Sequence, residues 1–188
     1  LLRGAVGALL PILVTGGIHM DGFMDTSDAL ASWQSPEKRL EILKDSHVGA
    51  FAVLGCAGYL LLDAALLSEL PTTLAPIGCF MLSRACSAWA MSAFRNARPK
   101  GMLDAFAQAA QRRMLTISCT VYAVLCAVLW AILGGWLAIP CLLAAILCAW
   151  YYRHMSYKQF ITGDLAGWFL QITELTLTAV IVIGGKLL

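Results

Sequence analysis

Charge is what this sequence has least of. Of 188 residues only 13% are Asp, Glu, Lys or Arg, while 60% are hydrophobic. Soluble domains run at about 25% charged and about 45–50% apolar. That gap excludes a soluble enzyme built round one buried core, and it excludes a disordered chain. A formal net charge of +2 is too small to point to nucleic acid, so no nucleic-acid partner is expected. Histidine occurs three times, and no two of the seven cysteines form a CxxC pair. Cys56, Cys79, Cys86, Cys119, Cys126, Cys141 and Cys148 all lie in apolar stretches. They read as small hydrophobes facing helix or lipid rather than as zinc or redox ligands. There is no internal repeat, no low-complexity run and no cleavable signal-peptide pattern. Position 1 is Leu rather than Met, which suggests a native start further upstream.

What is present is apolar length. Met114 to Tyr152 carries no charged residue, enough for two membrane spans of about 20 residues each, with Gly134-Gly135 as the turn between them. Val48–Leu70 is another span, followed by a tight turn at Pro71 and its neighbouring threonines, and Thr72–Phe94 returns with Arg84 near its middle. Leu165–Gly185 is interrupted only by Glu174, and Gly4–Ile18 is a shorter apolar segment ending at Thr15-Gly16-Gly17. The expectation is an all-α, polytopic membrane bundle of about six helices, forming a single domain over residues 1–188.

Loop charge supports this count. Residues 19–47 carry Lys38, Arg39 and Lys44; residues 95–113 carry Arg95, Arg98, Lys100, Arg112 and Arg113; residues 151–164 carry Arg153 and Lys158. The turns at 71 and 134–135 carry neither Lys nor Arg. Alternating spans put the three basic loops on one side, which the positive-inside rule makes cytoplasmic.

The acidic residues are concentrated in those loops. Asp21, Asp25 and Asp28 are spaced i, i+4 and i+7, within about 60° of arc on a helix. Three like charges on one stripe repel, and a hard divalent cation such as Mg²⁺ offsets the repulsion through oxygen ligands. The alternative is a solvated acidic face beside the membrane. Glu37, Glu41 and Asp45 form a second stripe on a helix with Ser35 as N-cap and Pro36 at its first position. Glu37 and Glu41 read as solvated, whereas Asp45, at the membrane entry, is a candidate further ligand. A third acid, Asp164, begins the last span, where Asp164, Gly167, Gln171 and Glu174 share one face. Arg84 and Glu174, at bilayer depth, either pair with each other or line a polar cavity, because an ionisable group there costs about 2.5–3.5 kcal/mol. Asp63, nearer the neutral turn, is expected to snorkel or stay protonated. Arg84, Arg95 and Arg98 are candidates for phosphate, whose oxygens a planar guanidinium matches; positive-inside bias alone is the competing account for the loop arginines. Carboxylates for a cation and arginines for phosphate at a membrane surface suggest phosphoryl-type transfer.

Gly16-Gly17-Ile18-His19-Met20-Asp21-Gly22-Phe23-Met24-Asp25-Thr26-Ser27-Asp28 resembles the signature of the cobalamin synthase (adenosylcobinamide-GDP ribazoletransferase) family. Three further stretches match in order: Arg39 to Ser46, Leu82-Ser83-Arg84 with Ala97-Arg98-Pro99, and Thr162-Gly163-Asp164-Leu165. The resemblance covers nearly the whole chain. It departs at Ala29-Leu30-Ala31-Ser32, where the family is glycine-rich, and at His47, where Arg or Lys is commoner. It implies a Mg²⁺-dependent, multi-pass enzyme of a bacterial or archaeal inner membrane. That enzyme joins adenosylcobinamide-GDP to α-ribazole or its 5′-phosphate and releases GMP. The implied roles are Asp21, Asp25, Asp28, Asp45 and Asp164 on the metal, and Lys44, Arg84, Arg95 and Arg98 on the phosphates. Asp28 or His19 would act as general base. A homo-oligomer is compatible with this reading. Two rivals use related chemistry or none: a CDP-alcohol phosphotransferase, whose Asp and Gly spacing differs, and a small ion or metabolite transporter, which would concentrate polar groups at the midplane.

Overall fold

The computed structural model describes residues 1–70, 75–93, 111–159 and 162–187. Every regular element among them is helical: α1 (Leu2–Thr15), α2 (Ile18–Ala31), α3 (Pro36–Ile42), α4 (Ala50–Glu69), α5 (Ala75–Ala93), α6 (Arg112–Gly134), a short 3₁₀ turn (Gly135–Leu137), α7 (Ala138–Gln159) and α8 (Gly163–Lys186).

Four helices are long and apolar enough to cross a membrane: α4, α6, α7 and α8. The bent pair α1 and α2 raises this to five if it is one broken span. The described residues therefore do not give six. The last two apolar stretches of the sequence count fall short for different reasons. α1 has only 14 residues, and α5 carries Ser83, Arg84 and Ser87 on a helix that packs inside the bundle. The turn at Pro71 lies outside the described residues. The Gly134-Gly135 break is present, with Gly135 at φ 56°.

The bend between α1 and α2 is 98° and has a local cause. Gly16 and Gly17 adopt φ of 63° and 79° in succession, a left-handed region open to glycine at little cost. Upstream, Thr15 Oγ1 donates to the Pro11 carbonyl at 2.8 Å, satisfying an acceptor in the last turn of α1. α1 packs on α4, while α2 turns across α4 and α8.

α8 is the central element. Its buried residues run from Leu165 to Val182 and include Gln171, Thr173, Glu174 and Thr178. α6 is peripheral: Ile117, Val121, Val124, Leu125, Val128 and Ile132 are exposed on an apolar helix, as a lipid-facing stripe should be, while Cys126 and Trp130 face inward. Cys79, Cys126 and Cys141 pack in the same apolar core as Leu177 and Ile181, the small-hydrophobe role read from their surroundings in the sequence. A second core, closer to α2, joins Met20, Phe23, Tyr59, Tyr152 and Phe169, with the Tyr152 and Phe169 rings stacked at 4.2 Å.

Gly17→Val forces a β-branched residue into the left-handed region and should lower stability by about 1–3 kcal/mol. Gly58→Ala, mid-helix with nothing within 4 Å of the added carbon, should raise it by up to about 1 kcal/mol. Tm in detergent distinguishes them, and equal effects would remove the backbone explanation of the bend.

Candidate functional site

The first and last sequence motifs meet where α2 crosses α8. A Cβ on Gly22 would lie 2.8 Å from Asp164 Cα and 2.8 Å from its carbonyl oxygen. One on Gly167 would lie 2.8 Å from the His19 carbonyl. Both approaches are closer than any side-chain-bearing residue allows, so two glycines set the interhelical distance. The contact brings Asp164, at the first turn of α8, beside the acidic segment of α2. Thr162 caps α8, its hydroxyl accepting from Leu165 N at 3.1 Å, so Asp164 also sits in the positive field of a helix N-terminus.

The three aspartates of α2 do not share one environment. Asp21 is exposed and Asp25 half-buried. Asp28 faces α4 instead: its Oδ2 accepts from Gly49 N at 2.6 Å and its Oδ1 from Ala52 N at 2.9 Å. A carboxylate from a distant helix thus caps α4, whose own N-cap, Gly49, has no side chain to do so.

The second motif lies on α3, which packs on α2. Thr26, Ala29 and Leu30 share a small cleft with Arg39, Leu40, Leu43, Thr162 and Leu165. Ser35 caps α3, accepting from Lys38 N, and Pro36 occupies the first turn. Lys38 pairs with Glu41 at 2.6 Å in solvent, the solvated role expected for Glu41. The helix ends at Ile42, so the stripe does not continue to Asp45. That aspartate accepts from His47 N at 3.1 Å and contacts His47 Nδ1 at 2.6 Å, a local turn bond of the kind Asp makes two residues ahead. Lys44 is exposed just before it.

The third motif contributes Arg84, whose Nη1 contacts Glu174 Oε2 at 2.7 Å; the two mid-membrane charges are paired. Arg84 also lies within electrostatic reach of His19, whose Nδ1 is buried without a hydrogen-bond partner among the described residues. Arg95 and Arg98 lie outside the described residues.

These contacts bring segments of the first, second and fourth motifs together along α2, while the third motif's Arg84 is held by α8. The profile of the cobalamin-5-phosphate synthase family matches residues 1–182. The chain belongs to that family. A Lachnoclostridium phytofermentans protein named adenosylcobinamide-GDP ribazoletransferase is 41% identical over 97% of this chain and 72% of its own length. Proteins of the same name from Desulfitobacterium hafniense and Geobacillus kaustophilus are 33% and 35% identical, covering 93% and 92% of this chain and 71% and 69% of their own. No solved structure matches.

For this member of the cobalamin-5-phosphate synthase family, fit to a divalent cation can be tested on the donors. Among the described residues no three His, Cys, Asp or Glu side chains are grouped as an all-protein metal cage requires. Mg²⁺ demands less, typically one or two carboxylates with substrate phosphates completing its shell. Asp21 and Asp25, one turn apart beside Asp164, meet that smaller demand. Asp28, with both oxygens on amides, and Asp45, bonded to His47, are engaged elsewhere.

Tyr59 escaped the sequence reading, and of the two expectations for Asp63 snorkelling is not met: it is 1% exposed, with Oδ1 unpartnered among the described residues, a burial that fits a protonated carboxyl. Tyr59, one turn before it, donates to Gln171 Oε1 at 3.1 Å. The available signal was their i, i+4 spacing, two polar groups on one face of an apolar span.

Asp28→Ala should cost about 1–2 kcal/mol of stability, read as a lower Tm, whereas Asp21→Asn, at an exposed position, should leave Tm unchanged. Equal Tm for both would contradict the capping role. Asp45 holds the His47 imidazole above its ordinary value of 6.5. The charged pair is therefore complete below pH about 6.5 and dissolves as pH rises through the raised value. Selective NMR titration of His47 should show this elevation, and Asp45→Asn should abolish it.

Proposed function

We propose that this protein completes the nucleotide loop of cobalamin by joining adenosylcobinamide-GDP to α-ribazole or its 5′-phosphate, with release of GMP. The observation that carries the reading is the meeting of the first and fourth motifs at the α2 and α8 crossing, with the second motif packed beside them, in a chain whose relatives bear the name of that transferase. The basic loops face the cytoplasm on this reading, placing the acidic end of α2 at the cytoplasmic boundary of the inner membrane.

The chemistry is a displacement at phosphorus. The ribose hydroxyl of α-ribazole attacks the phosphorus bearing the cobinamide arm, the bond to the GMP oxygen breaks, and the hydroxyl proton passes to a base. His19 suits that base better than Asp28. Its Nδ1 is unpartnered, whereas both Asp28 oxygens already accept from the α4 backbone. Asp21 and Asp25, beside Asp164, would hold Mg²⁺, which neutralises diphosphate charge when bound. Arg84, with Lys44, Arg95 and Arg98 from the loops, supplies the remaining positive charge. Positioning and charge neutralisation are the main demands of phosphoryl transfer, and a lipid-facing bundle with one polar end meets both without a deep soluble cleft.

The test is GMP release by the purified protein in detergent, with adenosylcobinamide-GDP and α-ribazole supplied together. Asp21→Asn and Asp25→Asn should each reduce turnover at least a hundredfold, in the range of a lost electrostatic contact to the reacting group, with Tm preserved. Chelation of divalent cations should do the same reversibly. Wild-type activity in either variant would remove that residue from the metal site, and release of CMP from a CDP-alcohol instead would replace the reading altogether.

A further inference from the structure

The Arg84–Glu174 pair is asymmetric. The Glu174 side chain is 1% exposed and the Arg84 side chain 33%. A pair serving stability alone would be expected to bury both heads, because half-burying one leaves its charge to be solvated inside a bundle. Here the guanidinium has an occupied edge and an open one. Nη1 alone donates to Glu174 Oε2 at 2.7 Å, to the Phe80 carbonyl at 3.0 Å and to Ser83 Oγ at 3.4 Å. Nε and Nη2 make no hydrogen bond among the described residues. The Phe80 ring lies 5.6 Å from the guanidinium carbon, restricting its plane.

Glu174 is itself held. Ser83 Oγ shares its one proton between the Phe80 carbonyl at 3.1 Å and Glu174 Oε2 at 3.4 Å, and Tyr59 Oη lies 3.5 Å from Oε1 while donating to Gln171 at 3.1 Å. Side chains from α4 and α5 thus converge on one carboxylate of α8, which grips one nitrogen of the arginine. Because a guanidinium is rigid and planar, fixing one nitrogen fixes where the others point. One turn further along α5, Ser87 Oγ donates to the Ala166 carbonyl at 3.3 Å, beside Gly167 and its contact with His19, so Arg84 stands on the face of α5 that packs toward the start of α8.

We infer that Glu174 is a positioning residue for the transferase: with Ser83 and Tyr59 it forms a buried bracket that holds Arg84 by one nitrogen and leaves its free edge to receive the diphosphate of the GDP-bearing substrate. This rests on the function proposed above. Glu174 never touches substrate; it acts through Arg84, and its effect should be confined to the substrate that carries the diphosphate.

The experiment is steady-state GMP release by the purified protein in nanodiscs, with each substrate varied while the other saturates. Glu174→Gln keeps the shape and an acceptor but removes the charge. It should raise KM for adenosylcobinamide-GDP about tenfold, the scale of one charge-assisted hydrogen bond, and leave KM for α-ribazole within about twofold. Ser83→Ala and Tyr59→Phe, each removing a hydroxyl that lies against Glu174, should raise the same constant by about two- to fivefold. In a double-mutant cycle, Glu174→Gln should add little to Arg84→Lys, because both act on one contact. Equal rises in both KM values, or a lowered Tm with both KM values intact, would overturn the inference. If Glu174→Gln fails to fold, the Ser83 and Tyr59 variants decide alone, and unchanged KM in both overturns it. A wild-type protein that releases no GMP sinks the functional reading; one that releases it beside an unaffected Glu174→Gln sinks only the bracket.

Discussion

The close crossing of α2 over α8 is the constraint on which the rest depends. Inside a bilayer, moving an apolar side chain from lipid to protein gains little, so helices associate through backbone proximity and polar contacts. Gly22 and Gly167 supply the proximity. Without them the helices would stand further apart, Asp164 would leave the acidic end of α2, and His19 would lose the wall that half-buries it. The same crossing explains how acids can be neighbours at a membrane surface. Asp28 is drawn off by the amides of α4, which leaves two carboxylates of the stripe and Asp164 rather than a stripe of three.

The polar groups deeper in the bundle obey a second rule. Tyr59, Ser83, Arg84, Gln171 and Glu174 bond to one another across α4, α5 and α8, because facing lipid would strand them. Glu174 and Arg84 neutralise each other, Ser83 adds a contact to the carboxylate, and Tyr59 bonds to Gln171 beside it. α5 is therefore too polar to count as a simple span, and it is the helix that carries the arginine inward. Its low hydropathy and its role have one cause.

Periodicity and composition made the helical bundle legible, since uncharged stretches such as Met114 to Tyr152 leave few other structures. The α3 cap was legible for the same local reason: Ser35 and Pro36 act within one turn. What depended on distant contacts was not. Asp28 reads in sequence as a third member of an acidic stripe because its partners, Gly49 and Ala52, lie more than twenty residues away. Asp63 reads as near a turn, and only the packing of α4 against α8 buries it. Asp45 looked like a continuation of α3, but its bond to His47 closes a turn just after the helix stops. The count of about six is not reached among the described residues for a related reason, since hydropathy cannot see that two left-handed glycines bend α1 and α2 by 98°.

That bend gives the site its shape. A straight continuation of α1 would carry Asp21 and Asp25 along the bundle axis. Turned by nearly a right angle, α2 lies across α4 and α8, with its acids at the exposed edge and His19 against Gly167. Arg84 approaches the same place from α5, anchored below by a carboxylate that solvent does not reach. Charge developing on a transferred phosphoryl group needs counter-charge already fixed in direction, since reorienting dipoles during the reaction raises the barrier. A mobile surface arginine would have to be ordered at each turnover. One clamped at a single nitrogen by three acceptors is ordered beforehand, which is the physical ground for the positioning role proposed for a residue as far from the acids as Glu174, about 15 Å along α8 from Asp164.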